Sequence, residues 1–144
     1  MIELDDIYKE LNGVPVLRGV SLGVEEGETL AVVGSSGAGK SVTLQHLVGL
    51  MSPDRGRVVV DGVELGTCDS GELRRIRRRF GYLFQSGALI NWMDVFENVA
   101  LPLLEDGHFT EDEIEEKVLA KLELVGLKGA EAKMPAELSG GMRK

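Results

Sequence analysis

The sequence predicts an α/β fold, rich in strands up to residue 85 and helical beyond it, arranged around one glycine loop. Three observations predict it. The short apolar run Thr29-Leu30-Ala31-Val32-Val33 leads into Gly34-Ser35-Ser36-Gly37-Ala38-Gly39-Lys40-Ser41, after which Leu44, Leu47, Val48 and Met51 recur at helical spacing. Around this unit lie apolar-polar runs broken by Asn12-Gly13 and Asp61-Gly62, the dipeptides of tight hairpins. Beyond Gln85 the pattern changes to helical periodicity opened by capping residues, with no flexible linker between the two regimes. One body with a helical extension is expected: 1–85 as β-subdomain and loop core, 86–144 as helical subdomain.

Taken in order, Ile2, Leu4 and Ile7 mark a first strand, and Val16, Leu17, Val20, Leu22 and Val24 a second, joined at Asn12-Gly13. Glu25-Glu26-Gly27-Glu28 turns the chain into the apolar run 29–33, which reads as a strand buried in a parallel sheet. Pro53 is expected to stop the helix after the glycine loop. Gly56 to Leu65 reads as a hairpin about Asp61-Gly62. Three apolar residues ahead of Asp61 imitate a strand-end metal aspartate, but the glycine after it marks a turn, and Asp61 is rejected as a metal residue.

Asp69 and Glu72 have capping-box spacing ahead of a short helix whose apolar face is Leu73, Ile76 and Phe80. Its arginines, Arg74, Arg75, Arg77, Arg78 and Arg79, read as a solvated face rather than a nucleic-acid patch. Gly81-Tyr82-Leu83-Phe84-Gln85 reads as another apolar strand, ending on an amide, and 86–92 as a loop in which Trp92 packs locally. Val95, Phe96, Val99 and Leu103 predict a helix that Pro102 bends or ends. Thr110 and Glu113 form a second capping box before a helix with Ile114, Val118, Leu122 and Val125 on one face, closing at Gly126.

Composition narrows the function. The chain has 144 residues, 43% of them hydrophobic, enough for one domain core. Its net charge of −8 excludes nucleic acid as a direct partner. A single cysteine, Cys68, excludes an internal disulfide framework and fits a reducing compartment. There is no basic-then-apolar leader and no apolar run of transmembrane length, so a soluble cytoplasmic chain is expected, able to sit on a membrane through a partner. His46 and His108 have no second histidine or carboxylate at ligand spacing, and neither suggests a metal.

The chemistry concentrates in Gly34–Ser41, which reads G-x-x-x-x-G-K-S, the P-loop pattern for a nucleoside triphosphate. Its glycines allow a tight turn in which successive N–H groups point at phosphate oxygens, and the helix that follows adds its dipole. Lys40 supplies a point charge for the outer phosphates, and the Ser41 hydroxyl a ligand for Mg²⁺. A second helix start stands at Leu138-Ser139-Gly140-Gly141-Met142, where Ser139 has the character of an N-cap and the glycines expose backbone N–H groups.

Together, the P-loop, Phe84-Gln85 and Leu138–Met142 resemble the ATP-binding subunit of ABC transporters, over all 144 residues. The resemblance implies a P-loop NTPase of the ABC ATPase type, with an antiparallel β-subdomain and an α-helical subdomain. It implies ATP and Mg²⁺ as cofactors: Gly34, Ser35, Ser36, Gly37, Ala38, Gly39, Lys40 and Ser41 grip the phosphates. Ser41 and Gln85 then meet the metal, and Ser139, Gly140 and Gly141 clamp ATP on a second subunit bound head to tail. It implies a transmembrane permease as partner and a place on the inner face of the cell membrane. More narrowly, Phe84–Leu89 and Val95–Leu103, with Met142 after Ser-Gly-Gly, are similar to ATPases of phospholipid-trafficking and organic-solvent-tolerance importers, systems that add a membrane-anchored lipid-binding protein.

The sequence departs from that family in two places. Leu11 stands where an aromatic residue ordinarily stacks on adenine, which removes a stacking contribution of about 1 kcal/mol; Tyr8 is a poorly placed substitute. The resemblance also implies a metal-holding aspartate, a catalytic glutamate and a switch histidine after the signature, and the sequence ends at Lys144 without them. The expectation is a truncated cassette that does not hydrolyse ATP by itself, since phosphoryl transfer needs a positioned water as well as a held phosphate. The alternatives are a non-hydrolysing, permease-binding stub and an ATPase of another importer type.

Overall fold

The computed structural model describes residues 1–85 and 87–144, and these form two compact units, Met1–Tyr82 and Leu83–Lys144. Ser86, the first residue of the loop expected over 86–92, lies outside the described residues.

The first unit is a four-stranded antiparallel sheet with strand order β2-β1-β3-β4. Strands β1 (Ile2–Leu11) and β2 (Val14–Val24) are joined by Asn12 and Gly13, at φ 52° and 79°, the paired left-handed conformation of a type I′ turn. β3 (Arg55–Val60) and β4 (Val63–Glu64) are joined the same way by Asp61 and Gly62, at φ 48° and 82°. Leu4 and Ile7 are both buried although they stand three positions apart, which a strict two-residue alternation forbids. A register shift between them, with Asp6 at φ 51°, returns Ile7 to the core face. There they pack with Leu17, Leu47 and Val58.

Helix α1 (Lys40–Leu47) follows the glycine loop and ends earlier than Pro53 would require. Gly49 adopts φ 67°, its N–H reaches His46 O at 3.0 Å, and Leu50 N–H reaches Gln45 O at 2.8 Å. This is a Schellman stop built on glycine, so the helix has closed before the proline. Its buried face is Thr43, His46 and Leu47, while Leu44, expected inward, is exposed. Helix α2 (Ser70–Arg77) is capped by Asp69, whose carboxylate accepts from Glu72 N–H at 2.9 Å, and buries Ile76. Its arginines remain exposed, with Arg75 on Glu72, Arg77 on Gly49 O and Arg79 on Asp61.

The two apolar runs expected as strands, 29–33 in a parallel sheet and 81–85, are not strands, and Leu30, Val32 and Val33 are exposed. A parallel strand is held by ladder partners on its edges, and among the described residues neither run has one. The sheet that forms is antiparallel throughout.

In the second unit, α3 (Val95–Asp106) and α4 (Glu111–Leu124) both begin in reciprocal capping boxes, Asp94 with Glu97 and Thr110 with Glu113. α3 runs through Pro102 and ends at Gly107 in the left-handed region. The proline removes one ladder hydrogen bond without ending the helix. Val95, Ala100, Ile114, Val118, Leu122 and Leu138 form the core. Val125, expected on that face, is the C-cap and is exposed; Gly126 at φ 73° closes the helix. Trp92 does not pack locally, being 80% exposed. No helix among the described residues is long and apolar enough to cross a membrane.

Candidate functional site

The glycine loop is fixed by packing at its C-terminal end. Gly39 is the N-cap of α1 at φ 90°, and a Cβ there would lie 2.8 Å from Leu17 Cδ2 and 3.3 Å from Val16 O. Strand β2 therefore presses directly on the loop's last turn, which only glycine permits. Below it, Thr43 N–H and Thr43 Oγ1 both donate to Gly39 O, at 2.8 and 3.1 Å, so the carbonyl is held inside the helix. Gly37 supplies a second left-handed turn at φ 80°, and Ala38 N–H closes on Ser35 O at 3.3 Å.

Lys40, the first residue of α1, folds its side chain back across the loop. Its Nζ donates to Gly34 O at 2.9 Å and Ser35 O at 2.7 Å. An ammonium has three donors, so the loop carbonyls orient the charge and leave capacity for an incoming oxygen. Residues 34–38 and Ser41 are exposed, which puts the loop backbone and the Ser41 hydroxyl within reach of a ligand. Cationic group, glycine turns and helix start converge on one loop, an arrangement that suits an anion with several oxygens. Phosphate groups fit this cradle. A hard cation that takes oxygen ligands fits the Ser41 hydroxyl in the first turn.

The remaining sequence-derived residues lie in the second unit. Gln85 is exposed, in a turn, and Gly87 N–H reaches Phe84 O at 3.0 Å. Ser139 Oγ accepts from Met142 N–H at 3.3 Å, and Arg143 N–H reaches Ser139 O at 3.1 Å, so Ser139 caps a single helical turn over the exposed Gly140 and Gly141. Sequence reasoning missed how this turn meets the segment after Gln85. Gly87 sits at φ 86°, and a Cβ there would lie 2.5 Å from Arg143 O. The signal was a glycine between Gln85 and Ala88, whose role a sequence cannot assign without the contact.

Asp61 belongs to the type I′ turn, and its carboxylate holds the Met1 ammonium at 2.7 Å and Arg79 at 2.7 Å. The hydrogen bond from the N-terminal amine keeps that carboxyl below the usual range, and Asp61 in turn raises the amine. The Tyr8 ring lies beneath the Arg55 guanidinium at 5.0 Å. Leu11 lies at the β1–β2 turn, half-buried and paired with Val14.

Residues 17–144 match the family described as ABC transporter. The probable ribonucleotide transport ATP-binding protein mkl of Mycobacterium leprae is 44% identical over 99% of this chain and 41% of its own length. The intermembrane phospholipid transport system ATP-binding protein MlaF of Haemophilus influenzae is 40% identical over 100% of this chain and 54% of its own. Among solved structures, the ATP-binding cassette MJ0796, a dimer in a post-hydrolysis state bound to ADP and Pi, superposes with a TM-score of 0.88 at 32% identity, over 99% of this chain and 65% of that one. The chain thus spans about half the length of the curated relatives. With its sheet, glycine loop and helical unit matched throughout, the chain belongs to the ABC transporter ATP-binding family and has the ABC ATPase cassette fold.

Proposed function

We propose that Gly34–Ser41 is an ATP-phosphate grip, and that the chain forms the nucleotide-holding part of a transport ATPase acting on phospholipid or a related hydrophobic substrate. The observation that carries the reading is Lys40 Nζ held by Gly34 O and Ser35 O over a loop whose backbone is exposed. In this reading, the loop N–H groups bind the outer phosphates, Lys40 balances their charge, and the Ser41 hydroxyl is a ligand to Mg²⁺. When bound, Mg²⁺ supplies charge neutralisation at the phosphate oxygens. Gln85 acts as a second metal contact and γ-phosphate sensor, and Ser139, Gly140 and Gly141 as the clamp a second subunit offers in trans. These roles rest on the family resemblance. The subdivision into a β-subdomain and loop core over 1–85 and a helical subdomain over 86–144 belongs to the same reading.

The lipid assignment is supported by the 40% identity to MlaF and by the Phe84–Leu89 and Val95–Leu103 segments. The identity to mkl is of similar size, so the substrate class is the finer part of the proposal. Partners in this reading are a second ATP-binding subunit, a transmembrane permease on whose cytoplasmic side the chain docks, and a membrane-anchored lipid-binding protein. In this reading the loop binds Mg²⁺-ATP, and Lys40→Ala is expected to weaken that binding at least tenfold. Equal affinity in a folded Lys40→Ala overturns it.

A further inference from the structure

Gly87 stands at φ 86°, and a Cβ added there would lie 2.5 Å from Arg143 O, 3.3 Å from its carbonyl carbon and 3.5 Å from its Cβ. Non-bonded carbon atoms settle roughly 3.5–4.0 Å from their neighbours, so any Cβ at position 87 drives the two backbones apart. Gly129, in the same unit at φ 85°, meets nothing within 4 Å. The close approach therefore belongs to position 87 and not to left-handed turns in general.

Both sides of this contact are anchored. On one side, Ile90 N–H donates to Asn98 Oδ1 at 2.7 Å and Asn98 Nδ2 donates to Ile90 O at 3.1 Å, which pins the chain just beyond Gly87 to α3. Gly87 N–H donates to Phe84 O at 3.0 Å, so the same backbone closes the turn that holds Gln85. On the other side, Arg143 N–H donates to Ser139 O at 3.1 Å and Met142 N–H to Ser139 Oγ at 3.3 Å, so Arg143 closes the turn that presents Gly140 and Gly141. Leu89 and Met142 pack against one apolar core with Val95 and Leu138. With both segments seated on that core, a shift of Arg143 O carries the 139–143 turn with it.

We infer that Gly87 is a positioning residue for the 139–143 turn. Its missing side chain lets the backbone after Gln85 seat on Arg143 O, and this sets the direction in which Ser139, Gly140 and Gly141 face a second subunit. The inference rests on the reading of those three residues as the clamp in trans.

The test uses the full ¹⁵N-labelled chain, with Gly87→Ala and Gly129→Ala as a pair that shares the backbone strain and differs in the contact. The wild type is expected to show a nuclear Overhauser contact between Gly87 Hα and the Arg143 Hβ protons. Gly87→Ala is expected to displace the amide resonances of 139–143 and to raise hydrogen exchange at the Arg143 amide by roughly tenfold, while Gly129→Ala leaves both as in the wild type. Gly87→Asn tolerates positive φ and keeps the clash, so it gives the same displacement and serves if the alanine variant does not fold. A folded Gly87→Ala or Gly87→Asn with wild-type resonances over 139–143 overturns the inference, and so does a wild type without the Gly87–Arg143 contact. ATP-dependent self-association, followed by sedimentation, separates this inference from the reading beneath it. Loss of association in a Gly87→Ala with displaced amides supports both, and association of wild-type strength in that variant overturns the inference. Displaced amides in a chain whose wild type does not associate contradict the clamp reading and leave the positioning supported.

Discussion

Gly39 and Leu17 are in van der Waals opposition: a Cβ on the glycine would sit 2.8 Å from the leucine Cδ2. The contact ties the last turn of the glycine loop to a core residue of β2 that is 3% exposed. The loop is therefore held in shape by the sheet and not only by its own turns.

Two alanine substitutions separate backbone strain from this packing. Gly37 has φ 80° with open space where its Cβ would go, whereas Gly39 has φ 90° and the clash. Gly37→Ala is expected to cost about 1–2 kcal/mol, the left-handed penalty alone. Gly39→Ala is expected to cost roughly 1–3 kcal/mol more, from overpacking against Leu17. Urea unfolding of the two variants checks the difference, and equal losses contradict the packing account.

In the second unit, Asn98 stitches the segment ahead of α3. Its carboxamide oxygen accepts from Ile90 N–H at 2.7 Å, and its NH₂ group lies within 3.1 Å of the carbonyls of Ile90, Met93 and Asp94. Asn98→Ala leaves the Ile90 N–H without its partner and is expected to cost about 1–3 kcal/mol. Hydrogen exchange at the Ile90 amide is expected to accelerate correspondingly, while exchange in α4 changes less.

Charge pairs at the sheet give opposite pH signatures. The Lys9 ammonium, donating to Asp54 Oδ1 at 2.6 Å, and then Glu10 N–H, at 2.7 Å from Oδ2, hold the Asp54 carboxyl below its ordinary value. A depressed carboxyl contributes stability that is present above its unfolded value of about 4 and is lost as pH falls through the folded value. Asp54→Asn is thus expected to have a lower urea midpoint than wild type at pH 7 and to match it at strongly acid pH. The Met1 amine is raised by its hydrogen bond to Asp61, so its contribution is present below about pH 8 and fades as pH rises. Asp61→Asn is expected to differ from wild type at pH 7 and by less at alkaline pH, where the Arg79 pair alone remains. Both pairs are exposed, and the effects are accordingly small.

Local chemistry was legible in the sequence. Asn12-Gly13 and Asp61-Gly62 fixed two hairpins because few residues accept paired positive φ, and the capping residues before α2 and α4 announced those helices, whereas the Asp94–Glu97 box of α3 went unread. The glycine loop was legible for the same reason. Context-dependent features were not. The apolar runs 29–33 and 81–85 have strand composition, yet a strand exists only with ladder partners, which no window of residues reveals. Pro53 looked like the stop of α1 because the Schellman hydrogen bonds of Gly49 and Leu50 are formed only once the helix has closed. Val125, the C-cap of α4, and Leu44, off the buried face of α1, are exposed despite their helical spacing. At the candidate site, Lys40 and Ser41 were read from the motif, whereas the clamp of Leu17 on Gly39 and of Arg143 on Gly87 joins residues distant in sequence.

The most direct measurement is a titration of the ¹⁵N-labelled 144-residue chain with Mg²⁺-ATP, followed residue by residue and repeated with Lys40→Ala. The account predicts saturable amide shifts concentrated in Gly34–Ser41, with the remaining sheet little changed, and at least a tenfold loss of affinity in the variant, equivalent to about 1.4 kcal/mol. Equal affinity in a folded Lys40→Ala, or shifts that avoid the loop, would contradict the claim that Gly34–Ser41 is the phosphate grip.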